Sequence, residues 1–245
     1  MSKFEAELLN LPMQFSHFDV SLTFEVISSL NAQTDASIEA NVKHYLTEGP
    51  QTEEYEISAE ENAYFFVEYY MGLDSGSVDL NDMFTSYYPS ITRRSVFLTL
   101  YGMLEHDFEK LCNGFARIHN APVKLSDLRG NGFERCDLYA RKIIGMKTSK
   151  YYPLVKKITK LRNVCAHNDA RFVSNEGKPF PELECLMRTY SKELVQDGEQ
   201  VNFKSGSLQA MTDALRNYFN DVDEALKAHK TPDPFIGSRK YIFGK

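Results

Sequence analysis

The chain lacks the short signatures that would declare its chemistry outright. It has no Gly-x-x-x-x-Gly-Lys-Ser/Thr loop, no Gly-x-Gly-x-x-Gly behind a strand, no His-Glu-x-x-His and no Gly-x-Ser-x-Gly. These absences set aside phosphate-loop nucleotide hydrolases, dinucleotide enzymes, zincins and nucleophile-elbow hydrolases. No segment approaches the ~20 apolar residues needed to span a bilayer. The start, Met1-Ser2-Lys3-Phe4, has no basic region leading into an apolar run,. The expectation is a cytoplasmic protein with no membrane association. Cysteine is sparse: Cys112, Cys136, Cys165 and Cys185 show neither paired zinc-ligand spacing nor a dense disulfide pattern. Reduced, mostly buried thiols are expected, with no metal site and no cofactor.

Positive charge is nearly missing from the first ninety residues. They hold 16 Asp/Glu against Lys3 and Lys43, a net of −14, while the other 26 cations and 18 carboxylates leave +8 on residues 91–245. Carboxylates are missing in turn from Leu138 to Asn168. That stretch carries Arg141, Lys142, Lys147, Lys150, Lys156, Lys157, Lys160 and Arg162. Such a run is either a solvated helix surface or the footprint of a phosphate-bearing partner, and charge alone does not choose.

The apolar spacing is mostly of three and four residues, so the fold class reads as mainly α. A weakly patterned helix is expected over about 16–46, ending at Gly49-Pro50. Ser58-Ala59-Glu60-Glu61 has capping-box form and predicts a short helix over Asn62–Tyr70 stopping near Gly72. The strongest pattern runs from Thr92 to about Ile118, with Phe97, Leu100, Tyr101, Leu104, Phe108, Leu111 and Phe115 on one stripe,. Glu105 lies at the edge of that stripe and needs a cationic partner or water. Further helices are expected over about 133–144 and from Pro153 to Ala166 or beyond. The latter carries Leu154, Ile158, Leu161 and Cys165 as its apolar stripe. A β-hairpin is expected between Thr189 and Phe203, turning at Asp197-Gly198, followed by a last amphipathic helix capped by Ser207. His119 and His229 read as surface residues, and the segment after Lys230 as a tail, loose or docked through its aromatics.

Among groups that could do chemistry, Arg162-Asn163-Val164-Cys165-Ala166-His167 remains. An Arg–His pair five apart is weak by itself, since chance supplies it readily. Its setting adds to it: the pair ends a helix with an apolar stripe, inside the carboxylate-free stretch, with Asn163 and His167 four apart on one face. Cys165 and His167 point in nearly opposite directions, which argues against a Cys–His nucleophile.

This pattern resembles the HEPN superfamily, in particular its abortive-infection and RNase-like branches, over about Ile91 to Ala228. The resemblance implies an HEPN-like helical bundle over residues 91–230 with a small β-hairpin insertion before the last helix. Residues 1–90 would be an acidic helical region, regulatory or an added layer, and 231–245 a tail. It also implies a metal-independent endoribonuclease, a toxin or phage-defence effector, with Arg162 and His167 as the catalytic pair. Asn163 would assist them and Glu105 would hold Arg162. Lys156, Lys157, Lys160 and Arg171 would hold the RNA backbone. A homodimer with a composite active site is implied as well, together with an antitoxin or regulatory partner. Members silenced by modification of a tyrosine two places after the His contrast with this chain, which has Asp169 there.

The chemistry is coherent. A histidine, with an ordinary pKa of ~6.5, can take the 2′-hydroxyl proton or protonate the leaving oxygen. Arg162 would stabilise charge growing on the phosphoryl oxygens better than a lysine. Two other readings stand beside it. One is an HEPN-like module that binds RNA, nucleotide or a partner protein without cleaving. The other is a helix-end histidine beside a surface arginine, with no chemistry at all.

Overall fold

The computed structural model describes residues 20–58 and 60–229, so the expected tail lies outside the described residues. The architecture is mainly helical with two small antiparallel sheets. Helix α1 (Ser21–Glu48) is followed by β1 (Gln51–Ser58), β2 (Ala63–Tyr70) and β3 (Leu73–Asp74). A helical turn at Leu80–Asp82 and a π-helical turn at Met83–Tyr87 lead into α2 (Tyr88–Ile118). Then come α3 (Gly132–Tyr139), α4 (Tyr152–His167), α5 (Pro181–Thr189), β4 (Leu194–Asp197), β5 (Gln200–Phe203) and α6 (Ser207–Lys227). No helix among the described residues is long and apolar enough to cross a membrane.

The chain divides into two compact units. One comprises residues 23–103 and 150–218, and its core is built on α1, the first half of α2, α4 and most of α6. Ile27, Phe97, Leu100, Tyr101, Val155, Ile158, Leu161 and Leu215 are fully buried there. Several of its polar groups are paired across the sequence. Asn31 donates to the Thr212 hydroxyl at 2.8 Å, and the Arg93 guanidinium meets Asp35 at 2.7 Å. The Ser90 hydroxyl accepts from the Phe203 N–H at 3.0 Å. The other unit holds, among the described residues, 20–22, 104–149 and 219–229. Phe108 packs edge-on against Phe133 at 5.1 Å and Phe219 at 5.0 Å.

All seven apolar residues expected on one stripe of α2 are buried. The helix begins at Tyr88, four residues before the expected Thr92, and the helices expected near 16–46, 133–144 and 153–166 are present. The stripe on α4 faces the core as expected, but its buried residues are Val155, Ile158, Leu161 and Val164, and Leu154 and Cys165 are only half-buried. His119 and His229 are not lone surface residues. Their rings lie 5.4 Å apart against Phe115, and burial together with the His229 charge lowers the His119 pKa.

Three local expectations fail. The helix predicted over Asn62–Tyr70 is a strand, β2, paired antiparallel to β1 with Tyr55 opposite Phe65. A run as aromatic as Tyr64-Phe65-Phe66-Val67-Glu68-Tyr69-Tyr70 favours a pleated surface. The Ser58 hydroxyl does accept the Glu61 N–H, at 3.3 Å, but it closes a turn completed by Asn62 at φ +50°. The hairpin before the last helix is real but shorter than expected. Thr189 ends α5, where Pro181 starts a helix that buries Leu183 and Leu186, and the strands begin at Leu194. Gly198 supplies the positive φ, +55°, that the two-residue turn requires,. The Ser207 hydroxyl is buried without a hydrogen-bond partner, so the expected cap is not made.

Glu105 has found a helix terminus. Its Oε1 accepts the Phe133 N–H at 3.1 Å, satisfying one donor that the first turn of α3 would otherwise leave open. Gly132 permits this contact: it sits at φ +47°, and a Cβ there would fall 1.9 Å from Glu105 Oε1. Gly132→Ala is therefore expected to cost about 1–2 kcal/mol from the left-handed backbone alone. Thermal denaturation should show a fall of several degrees, and unchanged melting would refute this account of Glu105.

Candidate functional site

Arg162, Asn163 and His167 occupy the last turns of α4. Pro153 lies in its first turn, where its missing N–H costs nothing,. The buried stripe fixes the rotation of the helix, so Lys156, Asn163 and His167 fall on the opposite, exposed face,. Arg162 is turned toward α2. Its Cζ lies 5.6 Å from the centre of the buried Tyr101 ring, within cation–π range. The Tyr101 hydroxyl is tied to Thr159 of α4 at 2.7 Å. Arg162 Nη1 donates to Asn163 Oδ1 at 3.0 Å. The structure thus joins Arg162 to Asn163, and helical spacing joins Asn163 to His167. Five residues of helix separate Arg162 from His167 by about 7.5 Å of rise and about 140° of rotation.

The chain leaves the helix through a strained, heavily anchored turn. The Val164 carbonyl accepts both the Asn168 N–H at 2.9 Å and the Ala170 N–H at 3.0 Å. Asp169 and Ala170 sit at φ +45° and +57°, unfavourable for residues with a Cβ and sustained only when surroundings impose them. Here they do. Arg94 of α2, almost fully buried, donates to the Asp169 carbonyl at 2.9 Å and to its carboxylate at 3.0 Å. Gln200 donates to the other carboxylate oxygen. The Ala170 carbonyl takes the Val201 N–H at 2.9 Å, and Phe172 donates to the Glu199 carbonyl at 3.0 Å.

The expected phosphate-holding cations meet different fates. Lys156 is exposed. Lys157 Nζ lies 3.1 Å from Cys185 Sγ, Lys160 Nζ lies 3.7 Å from the centre of the Phe180 ring, and Arg171 pairs with Glu199 at 2.6 Å. Glu105 belongs to the other compact unit. Burial pushes the Cys165 thiol up to about 12, which removes it as a nucleophile near neutral pH. The Cys185 thiol is lowered instead, chiefly by its hydrogen bond from Lys157. Among the described residues no cluster of three or more His, Cys, Asp or Glu is placed to hold a metal ion.

Arg94 and Gln200 escaped the sequence reading. The signal for Arg94 was present: Arg93 and Arg94 stand four and three residues before Phe97, on the continuation of the apolar stripe, where a cation has to find a partner. Comparison with known protein families, curated proteins and solved structures returns no match for this chain.

Two outcomes test this geometry. Asp169→Ala should cost about 1–3 kcal/mol, as expected for a lost hydrogen bond to a charged group. It should also speed amide exchange at Ala170 and Arg171 more than Asp169→Asn does, and equal exchange in the two variants would refute the anchor. Cys185 should alkylate ahead of Cys112, Cys136 and Cys165. Because its pKa is lowered, its rate should reach half-maximum at a lower pH than an ordinary thiol, and Lys157→Met should move that midpoint upward. A midpoint indifferent to Lys157 would break the assignment.

Proposed function

We propose that this chain is a metal-independent endoribonuclease of HEPN-like architecture, with Arg162 and His167 as its catalytic pair, acting as a toxin or phage-defence effector. The observation that carries the reading is the end of α4. There an arginine is oriented by Tyr101 and Asn163, and an exposed histidine ends the same helix beside a turn that Arg94 and Asp169 hold.

In this mechanism the RNA 2′-oxygen attacks the adjacent phosphorus while His167 takes its proton. The bond from phosphorus to the 5′-oxygen breaks, and that oxygen receives a proton. The products are a 2′,3′-cyclic phosphate and a 5′-hydroxyl. Arg162 meets the charge that grows on the non-bridging oxygens, and Asn163 keeps its guanidinium from rotating away. Glu105 is assigned a supporting role. One imidazole cannot accept and donate within the same step, so a homodimer would bring a second His167 to the cleft. Lys156 has an exposed ammonium for the RNA backbone. Lys157, Lys160 and Arg171 would serve only by exchanging their present partners for phosphate. An antitoxin or regulatory partner would act by covering this face.

A second reading, a module that binds RNA, nucleotide or a partner protein without cleaving, is favoured by one observation. Two carboxylates, Asp169 and Glu199, stand beside the histidine end of α4 and oppose the approach of phosphate to His167, whereas the exposed Lys150 and Lys156 leave the other end of the helix open to it.

Incubation of purified protein with single-stranded and structured RNA in EDTA separates the two. Cleavage should persist in the chelator and leave cyclic phosphate ends. Arg162→Ala and His167→Ala should each lower the rate at least about a hundredfold. RNA that is bound and remains intact supports the binding module and ends the enzymatic reading.

A further inference from the structure

The sheet formed by β1, β2 and β3 carries an open edge. Its order is β1-β2-β3, so among the described residues β1 pairs with β2 on one side and with no strand on the other. The Glu68 N–H donates to the Ser75 hydroxyl at 2.9 Å, and the Glu68 carbonyl accepts the Ser75 N–H at 2.8 Å. The backbone groups of Glu68 therefore face away from β1. Successive residues alternate in this respect, which leaves Val67 and Phe65 bonded across to Glu53 and Tyr55. Thr52, Glu54 and Glu56 then turn their N–H and C=O groups outward along the free edge. Residues 51–57 are all exposed. The base of the sheet is well held, since Tyr70 packs edge-on against Tyr45 at 5.0 Å and Phe84 at 4.7 Å.

An unpaired edge is normally blunted by lysine, proline or a bulge, because it templates pairing with another chain. This edge has neither lysine nor proline, and its one irregularity falls between Glu56 and Ser58, past the regular run from Gln51. Carboxylates take that role instead. Residues 51–74 carry Glu53, Glu54, Glu56, Glu60, Glu61, Glu68 and Asp74 and no cation, so two such edges side by side set like charges against each other. The same charges favour a cationic strand. Alternation fixes the pattern that strand needs. Glu54 and Glu56 stand on one face opposite Phe66 and Tyr64. Tyr55 lies on the other face, stacked on Phe65 at 5.1 Å, with its hydroxyl donating to Glu53 at 2.7 Å. A strand laid along β1 meets carboxylates with every second side chain and the tyrosine face with those between.

We propose that the β1 edge takes an extended cationic protein segment as an added strand, with Lys or Arg at alternate positions and β-branched or aromatic residues between them. Main-chain hydrogen bonds to Thr52, Glu54 and Glu56 give the affinity. The carboxylates of Glu54 and Glu56 on one face, and the Tyr55 ring on the other, select the side chains. The concentration of exposed apolar groups here fits a surface that a partner covers: Tyr55, Ile57, Tyr64, Phe65, Phe66 and Met71 are all exposed. The proposal rests on strand geometry, exposure and charge and not on the ribonuclease reading. Its test contains no RNA, so either can fail without the other.

Fluorescence anisotropy of the full chain with a labelled peptide of four Lys-Val repeats, at about 50 mM salt where exposed charges are weakly screened, tests it. Saturable binding is expected, with slower amide exchange at Thr52, Glu54 and Glu56. Four Lys-Pro repeats carry the same charge but lack the N–H groups of a strand, and should not bind over the same range. Glu54→Gln removes one charge and keeps the outward N–H. Glu54→Pro removes both at an edge position that a sheet tolerates, so it should bind the Lys-Val peptide about fivefold to tenfold more weakly than Glu54→Gln does. An unchanged melting temperature admits Glu54→Pro to that comparison; if the variant does not fold, the two peptides decide. Equal binding of the two peptides means attraction between charges alone and overturns the proposal. So does equal binding by the two folded variants, unaltered exchange along β1, or no binding of the Lys-Val repeats.

Discussion

A guanidinium buried in an apolar helix has to be met by acceptors, and Arg93 and Arg94 place that demand at the start of the longest helix. Arg93 answers it with Asp35 of α1 and the Phe203 carbonyl of the hairpin. Arg94 answers it with the backbone and side chain of Asp169. Two adjacent residues therefore fix a helix, a hairpin and the turn that follows the candidate catalytic helix. The positive φ values at Asp169 and Ala170 are the cost of bringing that carbonyl and carboxylate to one cation,. His167 precedes the anchored residue by two positions, so its backbone inherits a fixed place. The side chain stays in solvent, as proton exchange with a bound molecule requires.

The parts of the fold that could be read from sequence share one property: their periodicity runs long enough to outvote local ambiguity. The α2 stripe extends over nineteen positions from Phe97 to Phe115, all buried, and no reading other than helix accommodates it. The β1–β2 ribbon had no such protection. Its side chains are exposed on both faces, so neither the two-residue nor the 3.6-residue period is written into it, and Ser58-x-x-Glu61 imitated a helix start. The α5 helix was lost for the opposite reason, being only nine residues with a short apolar face. The candidate site divides in the same manner. Arg162, Asn163 and His167 are local and were found. Arg94 reaches Asp169 across 75 positions: the sequence shows that a cation on the stripe needs a partner, and not which residue supplies it.

The carboxylate-free stretch looks different once folded. In sequence it ends at Asn168, but in space its histidine end is closed by Asp169 and by Glu199 on the hairpin turn. Its other end keeps exposed lysines at positions 150 and 156. A linear count of charge gives one uniform basic helix, whereas the fold makes a gradient along it. A polyanion approaching α4 would be held first at the lysine end and would meet carboxylates toward His167. Lys157, held by Cys185, and Lys160, held over Phe180, lie between.

That gradient and the helix geometry bear on the same question. Arg162 and His167 face directions about 140° apart on one helix, with Arg162 turned back toward Tyr101. For a single phosphate to receive both the charge of the one and the proton transfer of the other, either Arg162 leaves its aromatic seat or the two groups come from different copies of α4. The first route gives up a cation–π contact and the Asn163 bond at the moment positioning matters most. The second keeps both and supplies the second imidazole that 2′-hydroxyl attack calls for. It also places two lysine ends, and not one, around the incoming strand. The composite arrangement is thus the version of the proposed chemistry that asks least of the geometry already present.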